Sequence, residues 1–229
     1  MTKYKTIKYC IFDVDGLLLD TESIYTEVTS EILKRYGKEF TWKVKAGMMG
    51  KKAREAAEYL INELQIDLDI DDYLKERSEM HEKLFPFCKK MPGAANLIKN
   101  LKAKNIPIAV ATSSNKKAFG QKNQNHRDMF DLFDVIITGD NPNVKNGKPS
   151  PDIFLEAAKQ LNVENPEDCL VFEDAPGGVQ AGINANMSVV WVPDPRLEID
   201  EKISSNEKVE ILSSLEDFKP EKWGIPSFD

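Results

Sequence analysis

Four short segments bring together residue types that can move a phosphoryl group. Asp13 and Asp15 close the run Phe12-Asp13-Val14-Asp15-Gly16. Thr112, Ser113 and Ser114 follow Ala111, and Lys148 lies in Gly147-Lys148-Pro149-Ser150-Pro151-Asp152. Glu173 and Asp174 end the run before Ala175-Pro176-Gly177-Gly178. A carboxylate can attack phosphorus and form an acyl phosphate. A second acid can protonate the leaving oxygen and later activate water. Magnesium takes hard oxygen ligands and keeps some waters. A lysine and N–H donors offset charge on the equatorial oxygens.

Each segment is ambiguous by itself. An Asp-x-Asp also occurs in surface turns, and a hydroxyl cluster can simply cap the next helix or hold a phosphate. Lys148 alone reads as solvated, although two prolines fix the loop around it. Two acids at the end of an apolar strand, before a glycine turn, are costly unless paired or metal-bound. Period-two alternation sets Asp13 and Asp15 toward one side.

The elements that must position these residues are short apolar runs separated by helical patterns. Strands are predicted over Tyr9 to Val14, Ile108 to Thr112, Val135 to Thr138, Cys169 to Glu173 and Ser188 to Val192. Helices are predicted over Ala94 to Lys104, Pro151 to Leu161 and Gly177 to Ala185. Such alternation implies a parallel sheet covered on both faces, a doubly wound α/β core that binds ligands at its strand carboxyl ends. All four segments fall at that edge. Glu22 to Phe87 breaks the rhythm with three helical stretches, 22–36, 51–64 and 71–84, and no strand pattern. It reads as an all-helical domain (21–87) inserted into a core made of 1–20 and 88–229. The tail from Glu201 is predicted to add an edge strand and a short helix.

Bulk properties narrow the classes. The 229 residues carry a net charge of −7 and no basic tract, which argues against nucleic-acid binding. Three spaced cysteines do not form a disulfide framework, and Cys10 and Cys169 read as buried thiols. His81 and His126 are too few for a usual zinc site. The first apolar run is short and acidic, so no signal peptide or membrane span is expected. A monomer in a reducing cytosolic setting, without membrane or nucleic-acid partners, is the expectation.

With the four segments in this order, the chain resembles the haloacid dehalogenase superfamily, in its branch of phosphatases with a helical cap after the first strand. The resemblance covers essentially the whole chain. It implies a Rossmann-like core, Asp13 as nucleophile and magnesium ligand, and Asp15 as general acid/base with its carbonyl on the metal. It further implies phosphate binding by Thr112, the Ser113 N–H and Lys148. Asp174 becomes a magnesium ligand, with Glu173 supporting the metal directly or through water. The cap segment Met49-Gly50-Lys51-Lys52-Ala53 and the ending Gly224-Ile225-Pro226-Ser227-Phe228 are similar to the pseudouridine-5'-phosphatase branch. The implied substrate is a small phosphorylated metabolite, with pseudouridine 5'-phosphate first and a sugar or polyol phosphate as the alternative.

Two other classes compete. Mutases of the beta-phosphoglucomutase type share the four motifs but place a histidine where Tyr25 aligns and an arginine near Ala53. A non-catalytic module on the same fold sits badly with Asp13, Asp15, Lys148 and Asp174 all present. Leaving-group choice is assigned to the cap, at Tyr25, Met49, Gly50, Lys51 and Lys52. The stretch Gly47 to Lys52 reads as a mobile apolar segment with cations beside it.

Overall fold

A computed structural model describes residues 4–49 and 53–228. Strands β1 (Tyr9–Phe12), β2 (Ile108–Thr112), β3 (Val135–Thr138), β4 (Cys169–Glu173), β5 (Ser188–Trp191) and β6 (Val209–Ile211) form one sheet in the order β3-β2-β1-β4-β5-β6. Every pairing is parallel. Parallel strands covered on both faces need apolar residues throughout, and all five residues of β2 and of β4 are buried. The sheet therefore follows from the runs read in the sequence, and β6 is the edge strand expected in the tail.

The chain divides into two compact units, Met1–Asp20 with Lys89–Asp229, and Thr21–Cys88. Cys88 thus falls with the helices. That unit contains α1 (Thr21–Lys34), α2 (Trp42–Met48), α3 (Ala53–Leu64) and α4 (Ile70–Leu84). Tyr73, Leu60, Ala57, Val28 and Leu33 are among its buried residues. Tyr25 stands edge-on to His81, with ring centroids 4.8 Å apart, and to Phe85 at 5.7 Å. His81 is itself buried.

Helix α2 corrects the sequence reading. Gly47 and Met48 close a helix that Thr41 caps by accepting the Val44 N–H. Gly47 lies so close to Tyr59 of α3 that a Cβ there would stand 2.2 Å from the tyrosine oxygen. Only Met49 of the described residues extends past the helix, and it is exposed. Gly50, Lys51 and Lys52 lie outside the described residues.

The α/β unit adds α5 (Ala94–Ala103), α6 (Lys116–Asn123), α7 (Arg127–Phe130), α8 (Asp152–Gln160), α9 (Pro176–Asn184) and α10 (Glu201–Ser204). On one face of the sheet, Ile11, Ala109, Ala111, Ile137 and Val171 pack with Phe154, Ala157 and Val179 from α8 and α9. Phe12 stacks on Phe172 at 4.4 Å, and Phe172 meets Phe218 edge-on at 5.0 Å. Each such buried ring contributes roughly 1.5–3 kcal/mol. Cys10, Cys88 and Cys169 are all buried and free, and burial pushes the Cys169 thiol up to about 12. None of the described helices is long and apolar enough to cross a membrane.

Candidate active site

β1 lies between β2 and β4, at the point where the strand order reverses. In doubly wound sheets this point, at the strand carboxyl ends, is where ligands bind. Asp13 leaves β1 with its N–H on the Phe172 carbonyl at 3.0 Å. Its side chain is buried and meets Lys148. The Lys148 Nζ donates to Asp13 Oδ1 at 2.5 Å, to Glu173 Oε1 at 2.6 Å and to the Ala111 carbonyl at 3.2 Å. An ammonium has three protons, and all three are placed. The ammonium also lies 4.8 Å from the centre of the Phe154 ring.

The loop that carries Lys148 is braced from α8. Asp152 Oδ2 accepts the N–H groups of Lys145 and Asn146 at 3.0 and 2.9 Å, and Ser150 donates to its other oxygen. The Asn184 amide holds the Pro149 carbonyl at 2.9 Å. These bonds explain why a lysine that looks solvated in sequence is almost wholly buried.

Burial raises the Asp13 carboxyl, and Glu173 and Asp15 raise it further, so that it reaches about 7 despite the opposing charge of Lys148. Burial pulls the Lys148 ammonium down, but the charges of Asp13 and Glu173 outweigh this and lift it above the ordinary lysine value. Lys148 therefore stays cationic, while burial pushes the Asp13 carboxyl up toward neutrality.

Asp13, Glu173 and Asp174 offer carboxylate oxygens within 4.8 Å of one another. This hard-oxygen set fits magnesium. Glu173 is already engaged on both oxygens. Lys148 holds Oε1, and the N–H groups of Asp174 and Ala175 donate to Oε2 at 2.8 and 2.9 Å. Its chief work is to orient Lys148 and the Asp174 loop. The buried Trp191 indole donates to the Asp174 carbonyl at 2.8 Å and steadies that loop from the next strand.

Asp15 lies past the end of β1 at Phe12, and its side chain meets partners other than the Lys148 that holds Asp13. Asp15 turns toward the end of β2, where Thr112 donates to Oδ2 at 3.3 Å and Ser114 donates to it at 2.9 Å. Buried Lys122 pairs with Oδ1. The Thr112 oxygen also accepts the Ser114 N–H at 3.1 Å, so in this structure it serves Asp15 and its own turn. Ser113 is exposed at the strand end.

Gly177 and Gly178 form the first turn of the helix expected from Gly177, α9, which begins with Pro176. A Cβ on Gly178 would fall 1.7 Å from Glu173 Oε1 and 2.0 Å from its Cδ. Glu173 occupies the volume of a side chain that glycine lacks. We expect Gly178→Ala to displace this buried carboxylate, to cost about 2 kcal/mol or more in denaturant unfolding, and to lower kcat about tenfold or more. An alanine variant with parental stability and turnover would show that Glu173 need not stay in place.

Fold and site together place the chain in a family. It belongs to the haloacid dehalogenase-like hydrolases, whose profile matches residues 10–192. Within that family it is a phosphoric monoester hydrolase that acts on phosphorylated small molecules. It is 50% identical to (DL)-glycerol-3-phosphatase 2 of Arabidopsis thaliana, over 98% of this chain and 94% of that protein. It is 42% identical to the Drosophila melanogaster protein named "Probable pseudouridine-5'-phosphatase", over 98% and 96% of the two chains. Among solved structures it resembles a beta-phosphoglucomutase of Clostridium difficile, with a TM-score of 0.72 and 26% identity over 96% of this chain and 98% of that one.

Proposed function

We propose that this chain is a magnesium-dependent phosphomonoesterase that passes the phosphoryl group of a small metabolite through Asp13. The observation that carries this function is the three-point hold of Lys148 on Asp13, Glu173 and the Ala111 carbonyl. It fixes a buried carboxylate at a strand end beside further acids. Lys148 engages Oδ1, which assigns attack on phosphorus to Oδ2. The P–O bond to the leaving alcohol breaks as Asp15 gives that oxygen its proton. Water then attacks the phospho-aspartate, Asp15 takes the water's proton, and inorganic phosphate departs from a restored Asp13. Thr112, the Ser113 N–H and Lys148 are assigned to the phosphoryl oxygens, for which Thr112 would leave Asp15 and Lys148 would exchange the Ala111 carbonyl, its longest bond at 3.2 Å. A magnesium ion held by Asp13, Asp174 and the Asp15 main-chain carbonyl would neutralise phosphoryl charge during transfer.

For the leaving group we place a small polyol phosphate of the glycerol 3-phosphate kind first. The support is the 50% identity to a protein named for that activity, against 42% for the one named for pseudouridine 5'-phosphate. Pseudouridine 5'-phosphate, ranked first on sequence resemblance, becomes the second candidate. A mutase is disfavoured because Tyr25, not histidine, stands in α1.

The test is phosphate release with magnesium across glycerol 3-phosphate, pseudouridine 5'-phosphate, uridine 5'-phosphate and a hexose phosphate. Glycerol 3-phosphate is expected to lead in kcat/KM. A clear lead for pseudouridine 5'-phosphate would reverse the two, and a lead for the hexose would remove both. Tyr25→Ala and Lys52→Ala are expected to reorder these substrates while affecting a minimal aryl phosphate less. Equal scaling of all substrates would remove the cap from leaving-group selection.

A further inference from the structure

Lys122 has no part in the mechanism above, yet its side chain has no solvent exposure at all. Burying an ammonium is expensive, and an apolar residue of similar volume usually serves stability as well or better. The helix gives no reason for it either. α6 is polar, and Phe119 is its other buried residue, one turn earlier on the same face. The charge must then be explained by what it touches.

Two of its contacts bear on this. The ammonium pairs with Asp15 Oδ1 and donates to the Ser114 hydroxyl at 2.7 Å. That hydroxyl in turn donates to Asp15 Oδ2, which also accepts from Thr112. Both carboxylate oxygens are thus held, one by a cation and one by two hydroxyls. Asp15 lies beyond the end of β1, where strand geometry no longer fixes its side chain. Its side chain is 20% exposed, so without these partners it could turn among rotamers.

We propose that Lys122 is the positioning residue for Asp15, with Ser114 as the link between them. Lys122 holds the carboxyl in the orientation from which it exchanges a proton with the leaving oxygen and then with water. This rests on the role assigned to Asp15 above. Lys122 takes no proton and touches no substrate. Its contribution is orientation, for which an error of about 1 Å can cost a hundredfold in rate.

The test uses Lys122→Met, which keeps length and volume and removes charge. Steady-state kcat is expected to fall about 10- to 100-fold, with KM changed less than about threefold. The distinguishing readout is rapid mixing with p-nitrophenyl phosphate. Its leaving group departs without a proton, so Asp13 is still phosphorylated while breakdown, which needs Asp15, is slow. The variant should release a burst of about one equivalent of nitrophenolate per site, followed by a slow phase. In an Asp15→Asn background, the same substitution should change the residual rate less than about twofold, since the residue it positions is already altered. Should Lys122→Met fail to fold, Ser114→Ala breaks the link more gently and should show the same burst with a smaller fall in kcat.

Parental kcat in Lys122→Met overturns the proposal. So does an equal loss in the Asp15→Asn background without a burst, which marks a purely structural lysine. Failure of the underlying mechanism looks different: the parent protein itself would not form phosphate through Asp13.

Discussion

Asp13→Asn should lower kcat by at least about 10⁴-fold while leaving the protein folded. An amide oxygen is a poor nucleophile and a poorer magnesium ligand, and no other described carboxylate shares the Asp13 position. Glu173 and the Ala111 carbonyl would still hold Lys148. Stability should move the other way in metal-free buffer. The buried carboxyl is raised to about 7, whereas an unfolded aspartate titrates near about 3.9. Any stabilisation tied to such a raised group is present below about pH 4 and is lost as pH rises through about 7. The asparagine has no such dependence, so the variant should gain on its parent across that window and hold the gain above it. Unfolding by denaturant at about pH 5 and about pH 8 measures the difference. Retention of more than about 1% of parental kcat by a purified, folded variant would remove Asp13 as nucleophile.

The sheet was legible because its physics is local. Strands buried on both faces must be apolar runs, and a site at their carboxyl ends puts polar residues just past each run. Asp13, Thr112 and Glu173 could therefore be placed together from the sequence alone, whereas Lys148 lies in the loop between β3 and α8. The partition within the site was less legible. Strand alternation put Asp13 and Asp15 toward one side, but the strand ends at Phe12, and the partners of Asp15 on β2 and α6 were not legible. Lys122 left a faint signal: it lies three residues after Phe119, on the one buried face of a polar helix. A lysine there is ordinarily taken as solvated. Gly178 was hidden for another reason. A helix start was expected at Gly177, but only the position of the Glu173 carboxylate reveals why Gly178 carries no side chain. In the helical unit, the glycine at position 47 masked the end of α2 by breaking a periodic pattern only seven residues long. The leaving group was least legible. Core residues can recognise phosphate and metal alone, and resemblance supplied the rest.

Removal of the metal is the second large effect expected. Chelation should reduce phosphate release to background, and magnesium should restore it. Calcium should inhibit, because its larger and looser shell displaces the phosphoryl group from the nucleophile. A metal held by this cluster would compete with the proton for the Asp13 carboxyl. Because burial raises that carboxyl to about 7, the metal must expel a proton at lower pH but not at higher pH. The magnesium concentration for half-maximal activity should therefore rise as pH falls below about 7, by up to about tenfold per unit, and level off above it. This midpoint is read separately from kcat, which also carries the proton chemistry of Asp15. Measurements from about pH 5.5 to about pH 8.5 span the bend. A midpoint constant across that range would mean that no proton leaves Asp13 on metal binding. Lys148, the Asp174 and Ala175 N–H groups and Trp191 would then account for the arrangement of Asp13, Glu173 and Asp174.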